Sequence, residues 1–208
     1  YMFEWYGFFI HLFAHAYYSW GGKREEKEFY KYSLTAVFGI DLAGDILYVL
    51  KNMLTIHEIQ LKIFPTEFPF ARNKVEKKDV AIIEKAKKNW PDIIRKLKKI
   101  RKVVAGNIRL KVYEPHFEKL IVASRRNRVI YDMAIASVNY DSSTSESQRI
   151  RYLKEMFDLN EKNFEIVKNN YFDVNPVSET GTKSCMIPYH ELKRVLINEL
   201  YPERRDNE

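Results

Sequence analysis

FEKLIVASRRNRVIYDMAIASVNY, residues 117–140, is the stretch on which the fold turns. Phe117, Leu120, Ile121 and Ser124 recur at helical spacing, and the same stripe runs on through Asn127, Arg128 and Tyr131 before turning apolar again at Ala134, Ile135 and Val138. The pattern predicts a helix whose core-facing side carries an amide, a guanidinium and a phenol. A buried polar group left without a hydrogen bond costs about 1–3 kcal/mol. These three must therefore face a crevice, a partner subunit or an anionic ligand.

The rest of the chain supports a helical protein around that segment. Its 208 residues are 46% hydrophobic and 30% charged, a globular balance, with only seven glycines and seven prolines. Lys, Glu, Leu and Ile are abundant, and all favour helix. We expect an all-α, single-domain antiparallel bundle over residues 1–202, with 203–208 as a frayed tail. The formal charge of +7 favours an anionic partner. One cysteine, Cys185, leaves no disulfide framework and no zinc cluster, and a reducing cytoplasm is the default location.

Taken in order, residues 2–20 are aromatic and interrupted by Glu4, His11 and His15, which predicts a deeply buried central helix rather than a membrane span. His11 and His15 lie four apart, a spacing that can hold a metal, but no HExxH pattern completes the site and no metal is expected. Gly21 and Gly22 end this helix. Phe29 to Phe64 reads as one long helix or two, with a weak point at Gly39 to Gly44, and Asp41 and Asp45 sit on its apolar edge, where two acids could hold a divalent ion or serve as acid and base but are expected to be caps or partners for basic side chains. Pro65, Phe68, Pro69 and Phe70 predict a loop that clasps the surface. Residues 80–89 and 91–105 read as two helices divided at Trp90-Pro91. The second carries Arg95, Lys96, Lys98, Lys99, Arg101 and Lys102, either a solvated face or a track for a phosphate backbone. Residues 108–115 are expected to be extended, 148–157 and 160–172 to form two short helices, 173–187 to be irregular, and 188–201 to form a last helix with Leu192, Val195, Leu196 and Leu200 inward. The sequence contains no phosphate-loop or nucleophile motif.

Arg125, Arg126, Asn127, then Val129, Ile130, Tyr131 and Asp132, resemble the Arg-Arg-Asn, apolar, apolar, His, Asn/Asp run of HEPN domains, the helical ribonuclease and toxin superfamily of prokaryotic defence systems. Ala134, Ile135, Ala136, Ser137 and Tyr140 are similar to the segment that follows it in one branch. The resemblance implies a homodimer whose paired motifs cut RNA without metal or cofactor, with Arg126, Asn127 and Tyr131 as the catalytic positions, Arg126 steadying the phosphate and Tyr131 in the place of the catalytic histidine. Arg125 and Arg128 would add phosphate contacts, with Arg95, Lys98, Lys99, Arg101 and Lys102 binding RNA elsewhere. A phenol titrates near 10, so Tyr131 serves as a base only where neighbours lower its pKa. On a straight helix Arg126 and Tyr131 stand about 140° apart.

Three readings follow. One is an RNA-binding domain of a defence or toxin-antitoxin system that has lost cleavage. Another is an active endoribonuclease using Tyr131. The third is a helical module that binds a partner protein, its arginines merely paired with acids such as Glu118 and Asp132. None of the three involves a membrane.

Overall fold

A computed structural model describes residues 9–23, 25–53, 75–171 and 179–201 of the chain. The regular elements among them are all helical: α1 (Phe9–Ser19), α2 (Glu26–Phe38), α3 (Ile40–Met53), α4 (Lys77–Ala105), α5 (Glu114–Ser142), α6 (Glu146–Tyr171) and α7 (Glu179–Leu200), with a 3-10 turn at Lys111–Tyr113. The all-α class follows. The prolines and aromatics of 65–70, the tail 203–208 and the side chains of His11 and Cys185 lie outside the described residues.

The helices gather into two compact units, where the sequence reading carries residues 1–202 as one domain. The first unit comprises residues 1–54 and 88–124. In it Leu34, Leu42, Ile46 and Val49 pack with Ile93, Leu97 and Ile100 of α4 and with Phe117, Leu120 and Ile121 of α5. The second comprises residues 55–87 and 125–208. Ile83 of α4, Ile130, Met133 and Ala134 of α5, Leu153 and Met156 of α6, and Leu192 and Leu196 of α7 make its core. Helices α4 and α5 each contribute to both cores.

Several elements differ from expectation for identifiable reasons. Residues 80–105 form one helix, with Pro91 inside it. Pro91 has no N–H to give the Lys87 carbonyl, yet Ile83 and Ala86 before it and Ile93 and Leu97 after it are all buried, and that burial outweighs one lost backbone bond. The helix starts with a reciprocal cap in which the Glu76 amide donates to Asp79 Oδ2 at 2.8 Å. Residues 146–171 are likewise one helix, because Asp158-Leu159 contains nothing that breaks it and the Asn160 amide group next to it donates to the Tyr189 carbonyl at 3.2 Å. Residues 179–187, expected to be irregular, extend α7. Of the last helix's predicted core positions, Leu192 and Leu196 are buried, while Val195 and Leu200 are only partly so.

The segment 108–113 is a coil of tight turns rather than extended chain, because Asn107 gathers it: its carbonyl accepts from the Leu110 and Lys111 amides, and its Oδ1 accepts from the Arg109 amide at 3.0 Å. Helix α1 is not central in its described part. Ala14 is buried, but His15, Tyr18 and Ser19 are exposed and Trp20, just beyond the helix, is 92% exposed. Tyr17 and Tyr18 lean on Phe29 of α2, with ring centroids 4.7 and 5.6 Å away.

The weak point read at Gly39 is a true helix boundary. Gly39 adopts φ 80°, ψ 163°, a conformation closed to residues with a Cβ. Gly44, in the interior of α3, has open space where a Cβ would sit. Two substitutions of the same kind should therefore act with opposite sign. Gly39→Ala is expected to lower unfolding free energy by about 1–3 kcal/mol, and Gly44→Ala to raise it by about 0.5–1 kcal/mol. Urea unfolding midpoints of both variants measure this directly.

Candidate functional site

Within the second unit, most of α5 is buried. Val129, Ile130 and Tyr131 are buried in succession, as are Ala136, Ser137 and Val138, while the stripe of Arg128, Asp132, Ile135 and Asn139 is only partly so. The predicted polar positions fall in that setting. Asn127 is 8% exposed and Tyr131 2%. Arg126 is half-buried and its Nε donates to Oδ1 of Asn163 on α6 at 2.9 Å. Arg128 lies 3.4 Å from Asp132, which also receives Lys87 of α4 at 3.0 Å. Arg125 is exposed. Helix α5 runs unbroken through all of these, so no local helix end turns Arg126 toward Tyr131, and the two diverge as helical spacing requires.

Tyr131 does not have the chemistry of a base. Burial pushes its phenol pKa up, and no neighbouring charge or ionisable hydrogen-bond partner offsets that. The arginines beside it in sequence therefore do not supply the depressed pKa that proton abstraction requires. Its ring belongs to the core of the second unit, among Ile130, Met133 and Ala134.

Sequence reading missed the partners on α6. Asn163 is 3% exposed and Asn160 fully buried. Both lie on the stripe of Leu153, Met156 and Val167, so the same helical spacing that flagged Asn127 marks them. Asn160 Oδ1 is buried without a hydrogen-bond partner, which leaves an acceptor facing the interior. Nearby on the α6–α7 contact, Glu161 accepts from the Tyr189 hydroxyl at 2.6 Å and pairs with Lys193 at 2.8 Å, while Phe164 stacks on Tyr189 with centroids 4.2 Å apart. Burial, then Glu161, pushes Tyr189 up to about 12.

The basic run lies in the first unit. Residues 1–54 and 88–124 hold 15 Lys and Arg against 9 Asp and Glu, a net +6, whereas residues 55–87 and 125–208 hold 20 against 19. Much of the run is engaged: Lys96 and Lys99 clasp Asp45 at 2.5 and 2.8 Å, Arg95 pairs with Asp92, and Arg101 reaches Glu114 and Glu118, each at 3.5 Å. Asp45 is thus a charge partner, held below the usual carboxylate range by its bonds to the two lysines. Glu118 pairs with Arg101 rather than with the arginines of its own helix. Lys98 and Lys102, four residues apart on α4, are exposed and have no ionic partner among the described residues.

No group of three or more His, Cys, Asp or Glu that could hold a metal occurs among the described residues. His15 is exposed, with Nδ1 3.5 Å from Ser19 Oγ. No family model, curated protein or solved structure matches this chain.

The buried phenol has a measurable signature. At pH 7 Tyr131→Phe should change stability by no more than about 1 kcal/mol, the net worth of a single hydroxyl's hydrogen bond. A phenol whose folded pKa is raised contributes stability that is intact below the unfolded value of about 10 and is lost as pH climbs above it. The wild type should accordingly weaken above pH ~10, with Tyr189 contributing up to about 12, and Tyr131→Phe should weaken less. Urea titrations at neutral and alkaline pH test this; a loss of several kcal/mol at pH 7 would show that the hydroxyl is firmly bonded after all.

Proposed function

We propose that this chain is a HEPN-like helical domain of a defence or toxin-antitoxin type system, acting as a homodimer that binds RNA without cutting it. The observation that carries the binding half is the segregation of charge: nearly all of the net +7 belongs to the first unit, and residues 93–113 hold eight Lys and Arg with no Asp or Glu. A phosphate backbone is the polyanion suited to such a track, with the unpaired Lys98 and Lys102 as its first contacts and Lys99, Arg101 and Arg95 exchanging their carboxylates for phosphate. The loss of cleavage is supported by Tyr131, which takes the position of the family's imidazole, is buried, and has its pKa moved away from neutrality. Arg126, the residue that would steady the scissile phosphate, is instead committed to Asn163.

Lys98→Glu with Lys102→Glu should weaken RNA binding about tenfold or more and flatten its dependence on log salt by roughly one to two units. Fluorescence anisotropy with labelled RNA across a salt series reads both. Incubation of the same RNA with wild-type protein, with and without divalent metal, should yield no products. Unchanged affinity in the double variant would refute the binding track, and cleavage that disappears in Arg126→Ala and Tyr131→Phe would establish the nuclease instead.

A further inference from the structure

The connection between α4 and α5 carries its aliphatic side chains outward. Ile108 is 91% exposed, Val112 70% and Val103 44%, while Leu110 and Tyr113 from the same segment pack on the first unit's core. The Asn107 carbonyl accepts from both the Leu110 and Lys111 amides, at 3.0 and 2.9 Å, so the segment is wound into a tight turn that sets Ile108 and Val112 one helical step apart. Ile40, 74% exposed, follows Phe38 by two residues, and the Phe38 ring lies 5.0 Å from that of Tyr113. The α2–α3 junction thereby brings a third aliphatic side chain to the same end of the unit. Lys102, Arg109 and Lys111 stand around them, all exposed.

Charge and shape together select what meets this end. Aliphatic side chains give bases no stacking surface, so RNA would leave Ile40, Ile108 and Val112 in water. A second copy would set one net +6 unit against another. Exposures this high belong to projecting side chains, and fluid hydrocarbon receives projecting side chains without a preformed pocket. Anionic headgroups at its border complement the lysines and arginine. We propose that the 106–113 turn, with Ile40 beside it, is a peripheral docking tip that inserts Ile108 and Val112 into the interface of an anionic lipid bilayer. The contact is one-sided, and no described helix is long and apolar enough to cross a membrane.

Co-sedimentation of the full chain with vesicles tests the tip. The protein should bind vesicles of phosphatidylcholine mixed with phosphatidylglycerol and not those of phosphatidylcholine alone. Ile108→Asp with Val112→Asp should cut the bound fraction about tenfold or more, with an unchanged circular dichroism spectrum because both positions are exposed. Arg109→Gln with Lys111→Gln should weaken binding and flatten its dependence on salt. Failure to bind anionic vesicles overturns the proposal, and so does full binding by the Asp variant, which would reduce the contact to charge alone. A dimer by light scattering that the Asp variant dissolves would assign the tip to a second copy, against the proposal. Anisotropy with RNA on the same variant keeps the two readings separate: the tip predicts that RNA affinity survives the Asp substitutions at the level expected from their charge, and vesicle binding without any RNA binding would remove the RNA reading alone.

Discussion

Burial of most of α5 is the constraint on which the second unit depends. With Val129 to Tyr131 and Ala136 to Val138 buried, polar groups of that stretch that turn inward are served by partners in protein rather than by water alone. The Arg126–Asn163 bond and the Lys87–Asp132–Arg128 cluster meet that demand from α6 and from α4. These interactions orient neighbouring helices as well as neutralising a side chain. Removing one partner would leave the other to be hydrated at the edge of a core that admits little water. The residues that look catalytic by their order in the chain are thus, in this molecule, tied to the packing of the bundle.

The first unit is organised differently. Its core is apolar, aliphatic side chains with Phe38 and Phe117 among them, and its distinguishing property lies outside, where α4 carries more cations than the local acids can balance. Asp45, Asp92, Glu114 and Glu118 each take up one or more of them. The more exposed pairs, Arg95 with Asp92 and Arg101 with Glu114 and Glu118, contribute little to stability, so displacing those carboxylates by phosphate would cost the fold little. The cation-rich stretch of α4 and the buried polar stretch of α5 therefore belong to different units.

The helical period made much of this legible beforehand. The 24 residues of 117–140 predict α5 because the stripe persists through its polar positions, and the buried polar character of Asn127 and Tyr131 follows from the same count. The Gly39 boundary was readable because glycine is what such a backbone needs. Local signals misled where packing outweighed them: Pro91 and Asp158-Leu159 were read as breaks that the helices run through, and 108–115, read as extended, begins as tight turns and continues into α5. The aromatic density of the first helix suggested a centre, yet its described end is largely exposed. The Arg126–Asn163 bond joins residues 37 apart, and spacing within one helix cannot announce it.

The acid-free run of 93–113 also bears on the protein when nothing is bound to it. Cations held this close raise the free energy of the native state through mutual repulsion, a burden that mobile counterions lighten. Any polyanion that settles on α4 relieves the same burden, so occupancy and resistance to unfolding are thermodynamically linked. The charge that would draw a polyanion to the first unit thus also weighs against its stability when nothing is bound.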